Sequence, residues 1–278
     1  MTDQRSLKLV DNPDTPPEQE NLFGLEIVEW SEANTGTVHL KAFALASDGM
    51  EYAIKRVSDG VDSGAKVKFP KLIPASEWFC YKLAEKCGIA TPVCRLLFDP
   101  ETKEYVFGSR IELAASQQKD HRPLMISLLK KPTSVLLKQL WQIQAFDQFV
   151  YNIDRHINNY LYSQGRYGVT VQAFDFSLSA FVFGWPTFTN EALPSDCNTV
   201  VNWNAIKDLT GVTADYKEAA FNVLDRLAAL KSEHIEQIIA EMPEEWLHQS
   251  LMENLINWWD SRERIDKIEL IRAEIGNE

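Results

Sequence analysis

Residues 151–162 read YNIDRHINNYLY and place a polar run, residues 154–159, between apolar flanks. The preceding residues 133–153 have apolar side chains at helical spacing, which predicts a helix that leads directly into the run. The residues after it read as a strand, a glycine-containing turn and a second strand. An acid, two bases and two amides are costly to bury without partners. The run is therefore either a capped helix end with surface residues or a functional site.

Toward the N-terminus the pattern is rich in strands. Short alternating segments separated by turns predict these strands, residues 59–68 read as a loop, and one helix is predicted from Pro74, with Gly88 placed to end it. We predict that residues 23–112 form a small β-rich lobe that carries this one helix. Residues 1–22 are polar and contain prolines, which predicts a disordered tail.

Toward the C-terminus the pattern becomes helical, apart from the hairpin that follows the polar run. Segments from Asn202 onward are amphipathic, and residues 243–275 read as helical throughout. We predict that residues 113–278 form a larger, mainly helical lobe. The whole chain is thus expected to have an α+β fold with two lobes, and a cleft between lobes is a common place for a ligand.

The composition limits the partners. The 28 basic and 40 acidic residues give a net charge of −12, which argues against a nucleic-acid or anionic-membrane partner because phosphate binding needs a positive surface. No apolar stretch is long enough to cross a bilayer, and the N-terminus lacks the apolar core of a signal peptide. Four cysteines in such a chain predict reduced thiols and a cytoplasmic location.

The residues in and around the polar run meet the requirements of phosphoryl transfer. This chemistry needs an acid near the attacking hydroxyl, oxygen ligands for Mg²⁺ and a cation on the phosphates. Asp154 can accept the hydroxyl proton, and Asn159, five positions later, can offer an oxygen to a hard cation. Asp175 follows one hairpin later at an apolar strand end. Lys55 lies on a predicted strand, where a buried lysine needs an anion such as a nucleotide phosphate.

Glu77 is a further candidate because it shares one face of the predicted helix with Cys80 and Ala84. A carboxylate on a mostly apolar face needs a partner, and Lys55 is the natural one. Each candidate also has a simpler explanation: Asp154 as a helix cap, Lys55 as an edge-strand lysine and Glu77 as an acid in a first helical turn.

The motif YNIDRHINNYLY, together with FDFSLS at residues 174–179, resembles the catalytic core of the HipA-like kinases and, more distantly, of the phosphoinositide kinases. Both groups carry Asp-x-His-x-x-Asn ahead of a metal-binding Asp. The helix EWFCYKLAEKCG and the closing helices resemble segments of small standalone HipA-like proteins, so the similarity spans roughly residues 24–272 in its order of elements. It implies a two-lobed, protein-kinase-like fold.

The resemblance also implies roles for the candidate residues. Asp154 would be the catalytic base, and Asn159 and Asp175 would be the Mg²⁺ ligands. Lys55 would contact the phosphates of ATP, with Glu77 as its catalytic partner.

The nucleotide-binding segments follow from the same resemblance. No Gly-x-Gly-x-x-Gly motif is present, so the loop 31–37, with its single glycine, is expected to cover the phosphates. Backbone groups of a hinge after the second predicted hairpin would meet adenine. The residues so predicted are, in the loop, Ser31, Thr35, Gly36 and Thr37 and, in the hinge, Ile111, Glu112 and Leu113. The metal motif is Asp-Phe-Ser where protein kinases have Asp-Phe-Gly.

We therefore predict an ATP- and Mg²⁺-dependent kinase that phosphorylates a Ser or Thr of a protein or of itself, with Ser31, Thr35 and Thr37 as candidate self-acceptors. Two alternatives stay open: a small-molecule or lipid kinase on the same scaffold, and a nucleotide- or partner-binding module without turnover. The resemblance also brings in a protein partner of the antitoxin type.

Overall fold

The structure, a computed structural model, describes residues 25–32, 42–61, 67–112, 122–166, 168–186 and 191–278. Two sets of predictions lie outside these ranges. They are the disordered tail over residues 1–22 and the nucleotide-binding roles of Thr35, Gly36, Thr37 and Leu113.

Segments of alternating burial form five strands in the described part of the chain. They are β1 (Leu25–Glu32), β2 (Ala42–Ala46), β3 (Glu51–Lys55), β4 (Cys94–Asp99) and β5 (Glu104–Arg110). The strands close into a barrel in the order β1-β2-β3-β5-β4, in which β1 and β4 run parallel and the other neighbours are antiparallel. Apolar side chains fill its interior: Ile27, Ala44, Ala46, Tyr52, Ile54, Leu97 and Val106.

Two expectations about loops in this region are wrong. Ser31 does not begin a loop, because β1 continues to Glu32 and pairs Ser31 with Phe43 of β2. Residues 59–61 are also not part of a loop: they lie in the short helix α1 (Val57–Val61), whose buried Asp59 accepts the N–H of Arg56 at 2.8 Å. The acid caps the turn and is satisfied there, which loop composition alone does not reveal.

The predicted helix from Pro74 to Gly88 is confirmed as α2 (Ile73–Cys87), preceded by a 3₁₀ turn at Pro70–Leu72. Gly88 has φ +69° and ends the helix in the left-handed conformation, as a glycine does most readily. A Cβ here would lie 2.1 Å from Nη1 of Arg226 and would displace this side chain, which donates to the Cys87 carbonyl at 2.6 Å. Nearly all of α2 is buried, between the barrel and the remaining helices.

The rest of the chain is mainly helical, with one hairpin. Its helices are α3 (Arg122–Lys130), α4 (Ser134–Phe149), α5 (Asn198–Thr210), α6 (Ala214–Ala229), α7 (Ser232–Ala240), α8 (Gln249–Trp259) and α9 (Arg262–Asn277). The hairpin is β6 (Tyr160–Gly165) and β7 (Gly168–Ala173), and 3₁₀ turns occupy Ile157–Asn159, Ala180–Phe183 and Glu244–Trp246. The mixed α/β composition expected from the sequence is confirmed.

The reading of residues 243–275 as helical throughout is wrong in detail, because a 3₁₀ turn and two separate helices occupy this segment. Trp258 and Trp259 are both buried, although consecutive helical residues point about 100° apart. The chain turns after them, with Ser261 just before α9 and its Oγ donating to the Trp258 carbonyl at 2.7 Å.

Two expectations from the sequence concern membrane spans and the state of the cysteines. None of the helices in the described ranges is both long and apolar enough to span a bilayer. All four cysteines are free thiols: Cys80, Cys87, Cys94 and Cys197.

Helix α9 holds the segment that precedes α5 through both backbone polar groups of one residue, Ala192. Glu274 Oε1 accepts the N–H of Ala192 at 3.0 Å, and Lys267 Nζ donates to the Ala192 carbonyl at 2.8 Å. Burial lowers the pKa of Lys267 to about 8, against the opposing effect of the Glu274 carboxylate. The folded protein therefore disfavours the charged form of this lysine.

This pKa predicts a specific dependence of stability on pH. Between about pH 8 and the ordinary lysine value near 10.5, the unfolded chain binds the proton and the folded chain does not, so the free energy of unfolding rises with pH. From pH 7.5 to 9.5 we expect wild type to gain about 2 kcal/mol relative to Lys267→Met, measured by urea unfolding. A difference between the two proteins that is the same at both pH values would contradict this assignment.

Candidate active site

The polar run 154–159 begins just after α4 and is not a helix cap. Tyr151 has φ +56°, which turns the chain sharply out of α4. The one cap in the run belongs to His156, whose Nδ1 accepts the Asn158 N–H at 3.2 Å at the start of the 3₁₀ turn. His156 thus has a local structural role.

Arg155 is the buried centre of the run. Its side chain has no solvent exposure and forms a two-point ion pair with Asp147 of α4, at 2.8 Å from Nε to Oδ2 and 3.0 Å from Nη2 to Oδ1. Nη1 donates to the Asn159 carbonyl at 2.8 Å and also to the carbonyl of Phe174. The guanidinium lies over the Phe176 ring, 4.8 Å from its centroid. One side chain therefore joins α4, the polar run and the residues after β7.

The hairpin brings the two predicted metal ligands to one end of its ladder. Tyr160 at the start of β6 pairs with Ala173 at the end of β7. Asn159 therefore lies immediately before the ladder and Asp175 immediately after it, and the Phe174 N–H reaches the Asn159 carbonyl at 3.4 Å. Asp175 has φ +60°, a left-handed conformation that Asp adopts more readily than most residues.

Lys55, at the end of β3, is 6% exposed and reaches across to α2 and to the segment after β7. Its Nζ lies 2.5 Å from Glu77 Oε1, which confirms the predicted pairing of these two residues. The same Nζ contacts Asp175 Oδ1 at 2.6 Å and Ser177 Oγ at 2.5 Å. Residues that are distant in sequence thus converge on one ammonium group.

Glu77 has partners on both of its carboxylate oxygens. Oε1 accepts from Lys55 and, at 2.9 Å, from the Ser177 hydroxyl, while Oε2 accepts the Phe176 N–H at 2.9 Å. The carboxylate is 2% exposed, so the explanation of Glu77 as an acid on a solvated first turn does not apply. It fastens the segment after β7 to α2.

Opposing effects set the pKa values in this cluster. Burial works to lower the pKa of Lys55, but the Asp175 and Glu77 carboxylates outweigh it and raise that pKa above its usual value. Burial works to raise the pKa of Asp175, but Lys55 and Ser177 bring it well below the ordinary range. Burial raises the pKa of Glu77 despite the opposing charge of Lys55. Lys55 is therefore a cation and Asp175 an anion at neutral pH.

Asp154 is held from the first turn of α5. Its Oδ1 accepts from Asn198 Nδ2 at 2.5 Å. Thr199, the next residue, accepts the Arg155 N–H at 2.8 Å and donates to the Asn152 carbonyl at 2.6 Å. These bonds set the orientation of the Asp154 carboxylate relative to the backbone of its own loop.

The residues present fit a magnesium ion by the chemistry of their donors. No group of three or more His, Cys, Asp and Glu side chains suited to a metal occurs within the described ranges. Mg²⁺ beside a nucleotide needs fewer, because one or two protein oxygens share it with phosphates and water. Lys55 and the Ser177 N–H both contact Oδ1 of Asp175, which leaves Oδ2 for a cation. Asn159 uses its Nδ2 to donate to the Asp154 carbonyl at 2.8 Å, so its Oδ1 faces away from that bond.

The hinge is only partly described. The Ile111 N–H donates to the Glu51 carbonyl at 2.8 Å and so is already engaged within the barrel. Glu112 accepts from Arg110 Nη2 at 2.9 Å. The predicted contact with adenine therefore cannot use the Ile111 N–H without breaking a bond of the sheet.

Sequence reasoning missed four residues of this site. In the sequence Arg155 is recognisable only as part of the motif. Asp147, an acid inside an apolar helical run, indicates that a buried cation lies nearby. Ser177 was noted only as a departure from glycine. Asn198 and Thr199 gave no local indication, because their contacts cross more than forty residues of chain.

The Arg155–Asp147 pair generates a stability prediction. Arg155→Met would leave a carboxylate buried with no cation, which typically costs about 3–5 kcal/mol. The matched control is Arg262→Met in the exposed Arg262–Asp266 pair of α9, where both side chains are more than half exposed and the loss is expected below about 0.5 kcal/mol. Urea unfolding measures both, and a loss under about 1 kcal/mol for Arg155→Met would contradict the role given to this pair.

Comparison with known proteins places this geometry in context. No family model matches the chain, and no curated protein matches it. Solved structures do match. The crystal structure of the Helicobacter pylori proinflammatory kinase CtkA aligns with a TM-score of 0.55 at 14% identity, covering 91% of this chain and 98% of that chain. The Shewanella oneidensis MR-1 complex of HipA, HipB and operator DNA aligns with a TM-score of 0.42 at 11% identity, covering 95% of this chain and 67% of that chain.

The likeness to the Helicobacter pylori kinase is one of fold, since it extends over nearly the full length of both chains at low identity. The chain therefore has the fold of that kinase, which agrees with the kinase-like fold expected from the sequence.

Proposed function

We propose that this protein is an ATP- and Mg²⁺-dependent kinase of the HipA-like type. The observation that carries the proposal is the convergence of Lys55, Glu77 and Asp175 on one buried ion cluster. Arg155 ties the strand end just before this cluster to the loop of Asp154 and Asn159. A lysine–glutamate pair, a metal-binding aspartate and an Asp…Asn loop are the parts that phosphoryl transfer by kinases uses.

Each residue has a defined task in this proposal. Asp154, oriented by Asn198, accepts the proton of the acceptor hydroxyl as the oxygen attacks. Lys55, held by Glu77, places a positive charge on the nucleotide phosphates. Asp175 and Asn159 hold Mg²⁺, which when bound neutralises charge on the transferred phosphate. The segments 31–37 and 111–113 are proposed to cover the phosphates and to meet adenine.

The same proposal covers the two lobes, the phosphate acceptor and the partners. We take the barrel with α2, residues 23–112, as the smaller lobe and residues 113–278 as the larger lobe, with the nucleotide between them. The acceptor is a Ser or Thr hydroxyl of a protein or of the chain itself. The net charge of −12 and the free thiols support a cytoplasmic protein with no nucleic-acid or membrane partner. A partner of the antitoxin type stays a prediction from the sequence resemblance.

A transfer assay tests the proposal. The protein is incubated with γ-labelled ATP and Mg²⁺, alone and with cell lysate, beside Asp154→Asn and Asp175→Asn. We expect label on protein with the wild type and a loss of about 100-fold or more with Asp154→Asn, which removes the proton acceptor but keeps nearly the same shape. Asp175→Asn should also lose transfer, because it removes a cation ligand.

Each contrary outcome has a distinct meaning. Transfer that survives both substitutions would overturn the site. Tight ATP binding with no transfer to any fraction would favour a nucleotide-binding module. Label in a small-molecule fraction would make the protein a small-molecule kinase, and label in a lipid fraction would make it a lipid kinase.

Asn198 generates a separate prediction. Asn198→Ala removes the hydrogen bond that orients Asp154, so kcat should fall about tenfold while the KM for ATP stays unchanged, because misplaced catalytic groups slow the chemical step. Asn204→Ala is the matched control, an exposed asparagine on the same helix. Equal kcat values for the two variants in steady-state kinetics would contradict the positioning role of Asn198.

A further inference from the structure

Ser177 is the residue of the Asp-Phe-Ser motif that the proposed mechanism does not use. It is 1% exposed, and its Oγ lies 2.5 Å from Lys55 Nζ and 2.9 Å from Glu77 Oε1. Lys55 and Glu77 already pair with each other at 2.5 Å. The hydroxyl is therefore added to a complete ion pair, and the pair does not need it in order to form.

The hydroxyl completes the set of partners around the ammonium group. A lysine ammonium has three hydrogen-bond donors and no acceptor. Its partners here are Glu77 Oε1, Asp175 Oδ1 and Ser177 Oγ, at 2.5, 2.6 and 2.5 Å. Every donor of Lys55 is thus directed at an acceptor within the protein. A phosphate oxygen can reach Nζ only by replacing one of the three.

The charges make this replacement depend on a cation. The charges of Lys55 and Asp175 cancel, and Glu77 adds a further acidic group, so the buried cluster carries no net positive charge. A polyphosphate adds further negative charge, so it meets unfavourable electrostatics as well as occupied donors. A divalent cation on Oδ2 of Asp175 would draw negative charge away from Oδ1 and weaken its bond to Lys55, so that one donor of Lys55 becomes available for phosphate.

We propose that Ser177 is a positioning residue for Lys55: its hydroxyl holds the third donor of the ammonium and so makes tight nucleotide binding depend on a divalent cation. The inference rests on the proposed nucleotide site. Glycine at this position has no hydroxyl and would leave that donor for the phosphate. With serine in place of the glycine of Asp-Phe-Gly, the release of a Lys55 donor for phosphate thus depends more strongly on the contact with Asp175.

Equilibrium binding of an ATP analogue with a non-hydrolysable β–γ bridge tests this directly. Calorimetry gives its Kd in Mg²⁺ and in EDTA for wild type and Ser177→Ala. The readout is the ratio of the EDTA value to the Mg²⁺ value. We expect this ratio to be about five- to tenfold smaller in Ser177→Ala, because one charge-assisted donor is freed for the metal-free phosphate.

Two further variants serve as a control and as a test of the cation's part in the effect. Ser179→Ala is the matched control: Ser179 is fully buried in the same segment and donates to the Phe176 carbonyl at 2.6 Å, but it does not contact Lys55. It should keep the wild-type ratio even if its melting temperature falls. Asp175→Asn should bring the ratio close to one, because it removes both the cation ligand and the main competitor for Lys55.

The outcomes separate the two proposals. Ser177→Ala that binds the analogue more weakly by the same factor in both media would mean a structural role alone and would overturn the inference. An unchanged ratio in Ser177→Ala, with wild type that binds in Mg²⁺, would also overturn it and leave the proposed function standing. Wild type that binds in neither medium would overturn both. Thermal unfolding of each variant shows that the proteins compared are folded.

Discussion

The site depends on the ion pair and the hydrogen bonds of the buried Arg155 guanidinium. Its ion pair with Asp147 satisfies two charges that have no access to solvent, and its remaining donor satisfies carbonyls on both sides of the hairpin. A buried charge pair is costly unless every donor has a partner, so this arrangement tolerates little displacement. The loop of Asp154 and Asn159 and the strand end before Asp175 are therefore held in one register.

A second buried cation, Lys55, performs the corresponding task between the barrel and the segment after β7. Here two acidic groups, Glu77 and Asp175, share the one ammonium. The two cations thus differ in kind. Arg155 is bound by a carboxylate and by backbone carbonyls, whereas Lys55 is bound by groups that kinase chemistry would assign to a metal and to the lysine–glutamate pair. Arg155 is therefore suited to a structural role, and Lys55 is suited to exchanging a partner within the protein for a nucleotide phosphate.

Sequence patterns predicted the helices and strands whose limits are set by neighbouring residues. The limits of α2 follow from a proline in the first turn and a glycine at the end, and the barrel strands follow from alternating burial. Prediction failed at the short helix after β3, where Asp59 accepts the Arg56 N–H, a bond that loop composition does not reveal. It also failed after Trp259, where α8 ends although apolar periodicity continues. Ser31 continues a strand because Phe43 of β2 pairs with it.

The sequence by itself determined the candidate chemistry: the acid and amide five positions apart, the later aspartate, the strand lysine and the helix glutamate. Residue type and order along the chain carry that information, because phosphoryl transfer requires those groups in those elements. Only the tertiary structure decided which side chains support them. Arg155, Ser177 and Asn198 act through contacts between elements far apart in sequence, and no periodicity within one element encodes the distance between two elements.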